Sequence, residues 1–144
     1  MADPALMRAG LAANLSALNG VQVNAYVLAN PTPPCVYVSS GPVEYDETMG
    51  RGHDTWTFIV YALVGYVSDI GAQKRLDEML ASHGAQSVKT LIESDRTLDG
   101  AAYTLTVPSV TGVRVYTLET GAGATIPPAI GAEWTVQVLA SGTG

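Results

Sequence analysis

The run Asp54–Val67, DTWTFIVYALVGYV, constrains the fold more than any other stretch of this chain. It is the longest apolar segment without a break, and its β-branched and aromatic residues favour a strand. Alternate residues of a strand face opposite sides. Trp56, Phe58, Val60, Ala62, Val64 and Tyr66 therefore share one side, and Thr55, Thr57, Ile59, Tyr61, Leu63 and Val67 the other. The first side is wholly apolar or aromatic and belongs against a core; the second is mixed and need be only partly covered. A membrane-spanning helix needs about 20 apolar residues, more than the run supplies. Extended at about 3.3 Å per residue, the run would reach on the order of 45 Å, long for a small domain. Either it bends near Gly65, or its start overhangs the body and meets another subunit.

The 144 residues suit one domain, 1–144, with 140–144 as a fraying tail. Charged residues make up 14% of the chain, against roughly 25% in ordinary soluble domains. So few charges leave much neutral or apolar surface, consistent with burial between subunits or with a surface rich in Ser, Thr, Asn and Gly. Acidic residues number 13 against 7 Lys and Arg, a net charge of −6, and no basic cluster exceeds Lys74–Arg75. Binding nucleic acid by neutralising phosphates needs clustered basic residues, so that mode is excluded. A single cysteine, Cys35, excludes an intrachain disulfide and a cysteine-based zinc site. The start, MADPALMRAG, lacks the apolar core of a signal peptide, and the expected setting is a reducing, cytosol-like compartment.

In chain order, Asp3 is a suitable N-cap with Pro4 at the first helical position. Met7, Leu11, Leu15 and Leu18 recur at helical spacing, and Asn19–Gly20 ends the helix. Val21–Leu28 alternates as a strand, stopped by the proline-rich Asn30–Pro34. Cys35–Ser40 is the next strand, which Val43 and Tyr45 could extend into a long hairpin with the central run; Gly41–His53 is its polar connection. Ser68 or Asp69 caps a second helix to about His83, with Ala72, Leu76, Met79 and Leu80 inward. Ser87 caps a short third helix with Val88, Leu91 and Ile92 inward. Asp99–Gly100 is a tight turn. Ala101–Val107 is a strand stopped by Pro108, and Thr111–Thr120 is another. Gly121–Gly131 is a flexible loop, and Glu133–Ala140 a clean strand with Trp134, Val136 and Val138 inward. This order predicts an α+β fold: a largely antiparallel sheet of about five or six strands, with an N-terminal helix and two further helices on one face.

No arrangement for chemistry stands out. His53 and His83 sit at element boundaries without a second ligand at metal spacing. Cys35 follows Pro34 on an apolar strand, which favours a buried thiol over a nucleophile. Glu44, Asp46 and Glu47 miss the EF-hand spacing, and a solvated loop is the ordinary reading. Gly121–Gly123 lacks the Gly-Lys-Ser/Thr of a phosphate loop. No catalytic, cofactor-binding or metal-binding residue is assigned, and a structural role is expected.

Several segments together resemble the tail terminator proteins of long-tailed bacteriophages, most closely those of actinobacterial phages. They are the helix ending in Leu18-Asn-Gly20, the Val21 strand, Pro31-Thr-Pro-Pro34 before Cys35-Val-Tyr-Val38, and Val43-Glu-Tyr-Asp-Glu-Thr-Met49-Gly-Arg-Gly52. The long strand follows, then the helix Ala72–Leu80, Ser87–Glu93 and Thr97-Leu-Asp-Gly100. The resemblance covers nearly the whole chain and lies in order and spacing, with no catalytic residue to carry over. It implies a virion protein of the tail and neck, assembled in the host cytoplasm as a homo-oligomeric ring, commonly a hexamer. That ring ends tail-tube polymerisation and meets the tail-tube protein on one side and a head-completion or stopper protein on the other. Genome DNA would pass through the lumen without specific binding, which a net negative wall favours by like-charge repulsion. No membrane partner is implied.

A ring needs two complementary faces per subunit. The hairpin between Tyr45 and Trp56 is the expected contact, with Glu44, Tyr45, Asp46, Met49, Arg51 and Trp56 as the interface candidates. Two alternatives stay open: another neck protein or a tail-tube subunit, and, in a different class, a small α/β enzyme or ligand-binding domain using Cys35 or the Glu44–Glu47 loop.

Overall fold

The computed structural model describes residues 4–18, 20–26, 34–45, 53–66, 70–98, 100, 102–116 and 129–141, with His53, Tyr66 and Ser141 described in their backbone alone. These residues form α1 (Pro4–Leu15), β1 (Gln22–Asn24), β2 (Cys35–Glu44), β3 (His53–Tyr66), α2 (Ile70–Leu80), α3 (Val88–Ile92), β4 (Thr104–Val110), β5 (Arg114–Tyr116) and β6 (Ala129–Ser141). The fold is α+β. Its one sheet runs β1-β2-β3-β6-β4, with β5 also beside β6. β1 and β2 are parallel and every other pair is antiparallel.

The central run is the strand its composition demands. Phe58, Val60, Ala62 and Val64 are buried on one side. Their register partners Val136, Trp134 and Ala132 on β6, and Val38 and Val36 on β2, continue that face. Met7, Leu11, Leu15 and Leu18 close over it from α1, with Ala72, Leu76 and Met79 from α2 and Val88 and Ile92 from α3, in one continuous core. Trp134 is the largest fully buried side chain of the described residues. Burying each such side chain contributes on the order of 1.5–3 kcal/mol, which is what holds three short helices to the sheet.

β3 neither overhangs nor runs free. β6 pairs with it from His53↔Ser141 to Tyr66↔Ala129. The alternative that applies is the irregularity near Gly65: the register shifts between Leu63 and Gly65. Beside it, Gly131 leaves no room for a side chain, since a Cβ there would collide with the Ala62 carbonyl.

Several element bounds differ from expectation: β4 begins at Thr104 rather than Ala101, β5 at Arg114 rather than Thr111, and α2 ends at Leu80 rather than near His83. β1 is only three residues long. β6 starts four residues early, at Ala129, because β3 offers it a backbone partner that the sequence pattern does not reveal. Pro108 does not stop β4: the strand passes through it with a register shift between Thr106 and Ser109, as an edge strand allows. The third helix is as expected, with Ser87 at its N-cap accepting from the Thr90 N–H. Asp3, Asn19, Val27–Pro33, Ser68, Asp69, Asp99, 117–128 and the last residues of the tail lie outside the described residues.

Candidate subunit interface

The hairpin of β2 and β3 places three of the six candidates. Val43 pairs with Trp56 and Glu44 with Thr55. Trp56 belongs to the helix-covered face, and Tyr45, just past the end of β2, turns onto that face against it. The two rings meet edge to face at 6.0 Å and 89°. Trp56 then stacks on Phe58 at 6.5 Å and 12°. Offset and edge-to-face pairs of this kind hold their geometry through the ring quadrupoles. Glu44 is exposed. Asp46, Met49 and Arg51 lie outside the described residues.

Arg8 on α1 extends this aromatic row. Its guanidinium lies 4.9 Å from the Tyr26 ring centre and 5.8 Å from that of Phe58. It donates to the carbonyls of Ala25 at 3.1 Å and Val38 at 2.7 Å, and to Ser40 Oγ at 3.0 Å. A planar five-donor fork can do all this at once; an ammonium cannot. The result is a continuous stripe, Tyr26–Arg8–Phe58–Trp56–Tyr45, deep in the middle and open at both ends: Tyr26 is 57% and Tyr45 66% exposed. The Trp56 indole N–H is shielded from solvent and donates to nothing among the described residues.

Sequence reasoning finds Tyr45 and Trp56 but misses Arg8 and Tyr26. A signal for Arg8 existed: it is the one charge in the helix Pro4–Leu15, next to the core residue Met7. Its partners, 17 to 32 residues away, are invisible to local pattern.

The opposite face of the sheet carries a second group. Tyr37 stacks on Tyr61 at 5.1 Å and 9°. Cys35, Leu63 and Ala129 form a small buried cluster against Tyr116. Glu133 is the register partner of Tyr61 and lies 4.0 Å from the Arg114 guanidinium. Burial, and after it Tyr61, Cys35 and Glu133, raise the Tyr37 phenol above its ordinary 10.0. Burial and then the Glu133 carboxylate push Tyr116 higher still, and Arg114 partly offsets this. Burial is the largest cause of that shift. Both phenols stay protonated at neutral pH and offer apolar area with a hydroxyl, not a nucleophile.

Cys35 is fully buried in its apolar cluster, out of reach of solvent. Among the described residues, no three His, Cys, Asp or Glu side chains come together to hold a metal ion. Among the described residues, no helix is long and apolar enough to cross a membrane. No known family model matches the chain, and no curated protein matches it either.

Proposed function

We propose that this chain is a structural subunit of the tail-terminator kind, forming a ring at the head-proximal end of a phage tail tube. There it would end tube polymerisation and join the tail to the head connector. The observation that carries the reading is the stripe from Tyr26 to Tyr45. It leaves two large rings open to solvent at the ends of a row that is tied to the core through the buried Phe58. Aromatic and arginine side chains on a preorganised base are what protein interfaces use as anchors. The low charge of the chain and the order of its segments support the same reading.

Native mass spectrometry and negative-stain microscopy of the purified chain test it. The expected result is a closed ring of several copies that caps tail-tube ends in mixtures. A strict monomer at the highest attainable concentration, never captured by tubes, would overturn it. Virions assembled without the chain separate a terminator from a stopper. Loss of a terminator gives overlong or unjoined tails, whereas loss of a stopper gives tails of normal length and leaking heads.

A further inference from the structure

The three helices all pack on one face of the sheet. The other face is the side to which Thr55, Thr57, Ile59, Tyr61 and Leu63 of β3 belong, and among the described residues no helix packs on it. Charge on this face is confined to Glu44 at the hairpin end and to the Glu133–Arg114 pair toward the other. From β2 to β4, four strands about 4.8 Å apart and the nine residues Thr55–Leu63 at about 3.3 Å each give it a footprint on the order of 600 Å². Each partner in a standard protein interface buries roughly 800 Å², so this face is close to the size that a stable contact needs.

A depression breaks the face at its hairpin end. Thr55 of β3, Gln137 and Leu139 of β6, and Thr104 and Thr106 of β4 line a volume of about 150 Å³. Register puts them all on the helix-free side: Thr55 and Thr104 both pair with Leu139, and Thr106 pairs with Gln137. A cavity on the order of 150 Å³ takes one benzene ring. The threonine methyls and Leu139 supply apolar wall, while the hydroxyls and the Gln137 amide supply donors and acceptors beside it. Such a lining suits a phenol, an apolar ring with one polar tip.

The exposed Tyr45 stands at the same end of the sheet on its other side. It packs edge to face on Trp56, and Trp56 follows Thr55 of the depression wall in the chain. One subunit therefore carries a projecting phenol and a ring-sized depression back to back, with the sheet between them, so the two cannot meet within one chain. The edges of β2 and β4 are poor alternatives for self-association. β2 carries Pro42 at a register shift between Ser40 and Val43, and β4 carries Pro108 at a shift between Thr106 and Ser109. Proline and bulges blunt an edge against strand addition. We infer that the depression on the helix-free face of one copy receives the Tyr45 ring of a second copy, as a head-to-tail contact. Such heterologous contacts close into a ring when the rotation between copies allows it. The inference rests on the ring reading above and adds the surface on which Tyr45 docks.

The test uses the full chain and two one-sided variants, followed by sedimentation velocity and native mass spectrometry. Tyr45→Ser removes the ring, and Thr106→Trp fills the depression. Both positions are exposed, and thermal melting checks that each variant folds, with Thr104→Trp taking the place of Thr106→Trp if that one does not. Each variant alone should assemble at least tenfold more weakly than the native chain. Mixed in equal amounts, the two retain one good contact between them: Tyr45 of the Thr106→Trp copy in the open depression of the Tyr45→Ser copy. The mixture should therefore give a dimer containing one of each, and no ring. Either variant assembling as the native chain does, or a mixture that closes rings or holds no more dimer than its parts, overturns this contact and leaves the ring reading standing. A native chain that never oligomerises overturns both.

Discussion

Two glycines on the strands that flank β3 illustrate how single atoms set this fold. Gly131 faces the Ala62 carbonyl so closely that a methyl group could not coexist with it, and the contact is with backbone rather than with a side chain that could swing away. The strand pair there is the spine of the sheet, so Gly131→Ala must push β6 off β3 beside the Leu63–Gly65 irregularity. We expect a loss of about 3 kcal/mol, the upper range for overpacking a core. At Gly41 an added Cβ would meet Thr57 Cγ2 at 3.0 Å and the Thr57 carbonyl at 3.2 Å, a far looser approach than the one at Gly131. Gly41→Ala should cost less than about 1 kcal/mol, since relief there is local and the unfolded chain loses entropy. Urea denaturation of both variants checks the contrast; equal losses would mean that the strand pair is more plastic than the packing implies.

Among elements, α3 shows how a five-residue helix is kept. Too short to be stable alone, it is held by Ser87 at its start, by Asn14 of α1 donating to the Ile92 and Asp95 carbonyls at its end, and by Glu93 just beyond. Glu93 accepts from Lys89 at 2.5 Å and from the Val107 N–H of β4 at 3.1 Å, and pairs with Arg96 at 3.5 Å. Burial alone would raise its carboxyl, but these donors and cations outweigh it and hold the group below its ordinary 4.5. A depressed folded-state value means that the carboxylate stabilises the fold fully above the unfolded value, and that this contribution is lost as pH falls through the folded one. Glu93→Gln should therefore lower the melting temperature at pH 7 and change it least below about pH 3. Parallel curves for the two proteins down to pH 2 would show that Glu93 does not titrate with folding. The cap of this helix was legible in the sequence because Ser87 acts on its own next turn, and so were the helical stripe of α1 and the two faces of β3. What was not legible depends on partners far along the chain. β6 extends to Ala129 because β3 is there to pair with, Pro108 is tolerated because β4 lies at an edge, and Arg8 finds the carbonyls of Ala25, just past β1, and of Val38 on β2. The interface candidates were legible in the same uneven way, since Tyr45 and Trp56 advertise themselves by residue type and Tyr26 does so only once Arg8 lies beside it.

At the scale of the whole molecule, the question is which exposed apolar groups serve assembly and which are ordinary surface. Tyr45 and Tyr103 are a fair pair, 66% and 55% exposed and of the same residue type. Tyr103 lies next to the edge strand that Pro108 blunts, whereas Tyr45 ends a row anchored through Trp56 and Phe58 to the core. An anchored ring has little side-chain freedom left to lose on docking. If the hairpin end is a subunit contact, Tyr45→Ser should weaken assembly by about 1.5–3 kcal/mol per contact, the span for fully burying a large apolar side chain. Its melting temperature under conditions that keep the chain monomeric should change little, because two thirds of the ring is already in water. Tyr103→Ser should leave both quantities near the native values. Sedimentation equilibrium of the three proteins decides between the alternatives. Equal weakening by both substitutions would point to a diffuse apolar association, and no weakening by Tyr45→Ser would remove the hairpin from the interface and shift attention to the tyrosine-rich opposite face of the sheet.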